Sequence, residues 1–136
     1  MCQKQFAAPF GAFGSWPVDQ LTWTRGARKT FRSSDAIARG FCGDCGTPLT
    51  FEPVTGGGSI ALALCAFDDP TIFPPLRQLA MESRLGWLDG LNALPTLTAE
   101  EVAAQDAKYG PRTSFQHPDH DTPVWPPADD AGRGAV

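Results

Sequence analysis

Cys42 and Cys45 stand two residues apart in GFCGDCGTPLTF, residues 40–51, and carry the strongest chemical signal in the chain. A Cys-x-x-Cys-Gly turn aims two thiolates at one point while backbone N–H groups of the turn donate to the sulfurs. Gly43 and Gly46 tolerate the positive φ that such turns require. The pair makes half of a closed zinc site, which takes four protein ligands at Zn–S distances of about 2.3 Å. A redox dithiol is the competing reading. That motif sits at a helix N-terminus, where the dipole lowers a thiol pKa, whereas Thr47-Pro-Leu-Thr-Phe51 reads as strand, so zinc is preferred. The chain has four cysteines and two histidines. Cys65 alternates away from Ile60, Leu62 and Leu64 and reads as a small packing residue. Cys2 lies at the extreme terminus, where a thiol ordinarily has neither rigidity nor partners. His117 and His120, in HPDHD, can bind metal but read as a solvated pair in a polar tail. The residues alone do not close a ligand set.

Short strands must position these thiols. Phe10–Trp16, Leu21–Thr24, Lys29–Arg32, Ile37–Phe41, Leu49–Phe51 and Ser59–Phe67 each read as strand, separated by Gly, Pro, Ser and Asp turns. The last is the clearest, with Ile60, Leu62, Leu64 and Ala66 on one face. This spacing predicts a mainly β fold, a small antiparallel sandwich or barrel. Leu79–Trp87 is ambiguous between strand and helix, with Met81, Leu85 and Trp87 as expected core contacts. One helix is predicted over 98–109, where Thr98 and Glu101 fit a capping box and Gly110-Pro111 stops it. From Pro111 the polar, Pro/Asp-rich composition reads as a loose tail.

At 136 residues, with 13 prolines and 14 glycines, the chain reads as one turn-rich domain, 1–97, followed by an extension over 98–136. A net charge of −4 gives no support to a nucleic-acid partner. Arg25, Arg28, Lys29 and Arg32 gather locally, as a solvated edge or a small-anion contact. No apolar run approaches a membrane span, and the N-terminus lacks the order of a secretory signal. The expectation is a cytoplasmic protein whose cysteines are not disulfides.

MCQKQFAAPFGAFGSWP, LTWTRG, TFRSSDAIARGFCGDCGTPLTF, LCAFDDPTIFPP and MESRLGWLDGLNALP occur in that order. The string resembles the glutathione-dependent formaldehyde-activating enzyme family, whose wider membership includes centromere protein V. The resemblance runs from Met1 to about Pro95. It implies a β-tent of two antiparallel sheets pinned by a structural zinc, in which Cys42 and Cys45 match the later of two cysteine pairs. It also implies a second, catalytic zinc held by three cysteines, the last matching Cys2. Three thiolates leave an open position for the thiol of glutathione, the co-substrate. The implied reaction is reversible carbon–sulfur bond formation giving S-hydroxymethylglutathione, the work of a carbon–sulfur lyase.

The family's early Cys-x-Cys and its first two catalytic cysteines would precede Met1. Either Met1 is an internal methionine of a longer protein, which the position of residue 1 inside a family motif favours, or the chain is N-terminally truncated relative to the family; as 136 residues it is expected to be inactive. Gln78 stands where many relatives carry histidine, and Gln3 where arginine is common. The alternative is a non-catalytic zinc-binding or interaction module, dimerising through an exposed sheet edge or using the basic edge. A methionine-sulfoxide reductase-like reading would need Cys65 as an activated thiol, and no flanking charge supports one.

Overall fold

Alternation of apolar and small residues along five short segments produces one antiparallel sheet in the computed structural model, which describes residues 1–111 and Gln116. The strands are β1 (Phe13–Pro17), β2 (Lys29–Arg32), β3 (Ile37–Phe41), β4 (Pro48–Pro53) and β5 (Ser59–Ala63). Their order across the sheet is β1-β5-β4-β3-β2. Among the described residues this is a single five-stranded sheet, where two were expected. Leu21–Thr24 forms no strand, and the chain covers that stretch as irregular backbone after a 3-10 turn at Val18–Gln20.

Register assigns the faces. Arg39 stands opposite Phe51 and Phe31, while Thr50 stands opposite Gly40 and Leu62. Side chains alternate between faces along a strand. Thus Phe13, Arg39 and Phe51 share one face, and Trp16, Thr50, Glu52, Ile60 and Leu62 share the other. The buried apolar residues, Ile60, Ala63 and Leu64, come from β5 and the turn just after it. On the second face Trp16, Phe67 and Phe73 pack mutually, with ring centroids 5.3–5.5 Å apart.

A short helix, α1 (Cys2–Phe6), precedes the sheet. Ala7 ends it in the left-handed region at φ 46°, and Pro9 follows. Phe6 meets Phe13 edge-on at 5.4 Å, and Phe13 in turn meets Phe51 at 5.9 Å, so α1 rests on the first face.

The described residues divide into two compact units, the sheet-bearing Met1–Leu79 and the smaller Ala80–Gln116. The second unit holds 3-10 turns at Met81–Ser83 and Gly86–Ala93 and the helix α2 (Ala99–Tyr109). Thr98 Oγ1 accepts from Glu101 N and Glu101 Oε2 accepts from Thr98 N, completing the capping box. Met81 and Trp87, expected in a core, are 51% and 56% exposed; only Leu85 of that trio is half-buried. The segment leaves them outside because it forms 3-10 turns and joins no sheet. His117, His120 and most of the tail lie outside the described residues.

Candidate functional site

Cys42 and Cys45 occupy the turn between β3 and β4. Cys42 N donates to Thr47 O at 2.9 Å and Gly46 N donates to Cys42 O at 3.0 Å, closing the turn. Gly46 takes φ 77°, a conformation a side chain would strain. The two thiols hydrogen-bond to each other, and Cys45 Sγ lies 3.0 Å from Thr47 Oγ1. Burial pushes the Cys45 thiol up. Bonds from the Thr47 hydroxyl and backbone, from Cys42 and from its own backbone outweigh that and hold it below its ordinary value. Lys29 lies over the same turn: a Cβ at Gly43 would stand 2.8 Å from Lys29 Cε.

Cys2 sits apart from this pair. No group of three or more His, Cys, Asp or Glu is placed to hold a metal ion among the described residues. Contrary to the expectation for a terminal thiol, Cys2 lies in a helix and has a partner. It opens α1, and Arg39 Nη2 donates to its Sγ at 3.4 Å. Residues three and four apart share a helix face, so Cys2, Gln5 and Phe6 all turn toward the sheet. Arg39 Nη1 donates to Gln5 Oε1, Nε donates to Ser33 Oγ at 3.0 Å, and the guanidinium carbon lies 5.0 Å over the Phe51 ring. Arg39 is 3% exposed.

The opposite face carries a second arginine with a different environment. Arg28 Nε and Nη2 donate to Glu52 at 2.7–3.1 Å, and Arg28 stacks 4.8 Å over Trp23. Thr50 Oγ1 donates to Glu52 Oε1 at 2.8 Å and accepts from Gly40 N at 2.9 Å. Burial pushes the Glu52 carboxyl up, but the bonds from Arg28 and Thr50 and the Arg28 charge hold it below its ordinary value. Beside this pair is an open cavity of about 360 Å³ lined by Val18, Leu21, Trp23 and Ile60 among others. The basic edge read from the sequence is therefore not uniformly solvated. Arg28 is committed to Glu52, and Arg32 donates to Ser34 O and Asp35 O.

Cys65, expected inside a strand, instead follows it. Strand β5 ends at Ala63, Leu64–Ala66 forms a 3-10 turn, and the thiol is exposed. Arg39 is the residue that sequence reasoning passed over. Its signal was present: Ile37, Arg39 and Phe41 share a strand face, so a charge interrupts an otherwise apolar row.

The described residues form a mainly β protein built on one antiparallel sheet, with a Cys-x-x-Cys turn between β3 and β4. The profile of the glutathione-dependent formaldehyde-activating enzyme family matches residues 1–83, more than half of the chain, and the chain belongs to that family. No curated protein and no solved structure matches it. No helix among the described residues is long and apolar enough to cross a membrane.

Proposed function

We propose that this protein is a zinc-dependent carbon–sulfur lyase-type member of its family, forming or cleaving an S-hydroxymethylglutathione-type adduct with Cys2 at the reacting centre. The observation that carries this reading is the Cys2 thiol held against the buried Arg39 guanidinium. Cys42 and Cys45 fit two corners of a tetrahedral structural zinc: both are thiols, they already converge, and one is held below its ordinary pKa. Among the described residues no group of three or more such ligands is gathered, so holding zinc at either site would take ligands beyond Cys2, Cys42 and Cys45. Bound zinc would ionise and orient a thiol and polarise a carbonyl.

In the forward direction the thiol sulfur attacks the formaldehyde carbon. The carbon–sulfur bond forms, the C=O π bond breaks, and the oxygen takes up the proton that the thiol lost. Arg39 and Gln5 hold Cys2 in place, while Phe6 and Phe13 fix α1 to the sheet. The alternative of an anion-binding module on the basic edge is weakened because Arg28 is already neutralised by Glu52.

The assay is adduct formation from glutathione and formaldehyde, followed by carbon NMR. It should compare this chain, a form carrying the family's early cysteine segment ahead of Met1, and Cys2→Ser in each. With zinc present, the extended form is expected to accelerate the reaction and Cys2→Ser to abolish that acceleration. If neither form accelerates the reaction, the formaldehyde substrate is wrong.

A further inference from the structure

Strands β1 and β2 are consecutive in the chain but stand at opposite edges of the sheet. Residues 18–28 must therefore cross its width, and they do so over the second face, as irregular backbone after the Val18–Gln20 turn. This strap is pinned at both ends. Val18 N donates to Gly58 O at 3.0 Å, beside the start of β5, and Arg28 is held by Glu52 of β4. Trp23, between these anchors, stacks on Arg28. Between the strap and the sheet lies the cavity of about 360 Å³, walled by Val18, Leu21, Trp23 and Ile60, with Arg28 and Glu52 in its lining. Helix α1, which carries Cys2, rests on the other face.

Small-molecule cavities run about 300–1,000 Å³ and combine apolar walls with a few polar groups that fix orientation. This one stands at the small end, the size for a single substituted ring. Arg28 and Glu52 neutralise each other, so an entering ion of either sign would lose water and gain no unpaired counter-charge. The Glu52 carboxylate already accepts from Arg28 Nε, Arg28 Nη2 and Thr50 Oγ1. Donors are left over. Arg28 Nη1 and the Trp23 indole N–H have no hydrogen-bond partner among the described residues, and Nη1 is not sealed from solvent. We infer that this cavity is a second binding site, separate from Cys2, for an uncharged one-ring molecule carrying a hydrogen-bond-accepting oxygen such as a ketone or amide carbonyl. The ring packs against Val18, Leu21 and Trp23, and the oxygen accepts from Arg28 Nη1 or the Trp23 indole.

The test titrates the intact chain with four one-ring probes and follows its amide and indole N–H signals by NMR. Acetophenone is neutral and carries an acceptor, toluene is neutral without one, benzoate is an anion and benzylammonium a cation. Acetophenone should give saturable shifts at Val18, Leu21, Gly57 and the Trp23 indole, all lining the cavity, and none along α1. Its dissociation constant should be about 1 mM. Toluene should bind about three- to tenfold more weakly, the worth of one hydrogen bond. Each ion should bind at least about tenfold more weakly than acetophenone. Val18→Trp, at an exposed position, fills the cavity and should abolish the shifts at Leu21 and Gly57. Glu52→Gln leaves the Arg28 charge unbalanced and should reverse the ranking, so that benzoate binds more tightly than acetophenone. A nonspecific apolar surface would not respond to that change.

Four probes that bind alike overturn the inference without any variant, and so does acetophenone giving no saturable shift at the cavity. An unchanged titration in Val18→Trp also overturns it, as does benzoate remaining the weaker ligand in folded Glu52→Gln. No part of the test uses Cys2, so its outcome stands apart from that of the glutathione–formaldehyde assay.

Discussion

Two arginines on opposite faces of one sheet show how much a single side chain depends on its neighbours. Arg28 lies in a bidentate pair with Glu52, which Thr50 also supports. Because this network lowers the Glu52 pKa, its contribution is complete above the ordinary carboxylate value of 4.5 and is lost as pH falls through the folded value. Urea midpoints should therefore hold steady from neutrality to about pH 5 and decline below it. Glu52→Gln should lower the neutral midpoint by the equivalent of about 1–3 kcal/mol and flatten the acid decline. Arg39 was legible in the sequence only as an odd charge among Ile37 and Phe41. Its partners come from 6 and 34 residues away, and no local pattern links them. The pairing of Cys2 was illegible for the same reason, since a five-residue helix gains its order from the face it rests on.

At the level of elements, strands β2 and β3 fell on their expected residues, because alternation and flanking turns agree there. Strand β5 ran shorter than its apolar pattern. The run continues to Phe67, but the backbone leaves the sheet at Ala63, and periodicity cannot register that departure. The predicted Leu21–Thr24 strand had alternation but found no neighbour to pair with. Strand β3 depends on Gly40 for a physical reason: a Cβ there would stand 2.3 Å from Thr50 Oγ1 and 2.6 Å from Arg28 Cδ. Gly40→Ala should cost about 1–3 kcal/mol, read as a drop in the urea midpoint. Helix α2 has no buried residue, so its ends matter more than its faces. Thr98→Ala should cost the helix about 1 kcal/mol. Amide exchange in α2 should then quicken about fivefold, with little change in the sheet.

For the molecule as a whole, the buried apolar set among the described residues is small, and the Cys42–Cys45 turn joins β3 to the central strand β4. Metal binding by such a turn is coupled to folding. Added zinc should raise the melting temperature of the unaltered chain, and Cys42→Ser should abolish both the rise and the retained metal. Mainly β architecture and family membership were readable from ordered motifs. The single sheet and the second unit were not, because pairing partners and contacts between distant segments carry no fixed spacing. Dimerisation through a sheet edge meets a specific obstacle at β2, whose outer side has no strand partner among the described residues and whose Phe31 is 65% exposed. If two copies met there antiparallel with all four residues in register, Lys29 would face Arg32 twice, and like charges opposite one another repel. The strand thus excludes its own twin while remaining open to an acidic one. Reversing one sign, with Lys29→Glu, should turn that self-avoidance into self-recognition, visible as a dimer by light scattering where the unaltered chain stays monomeric.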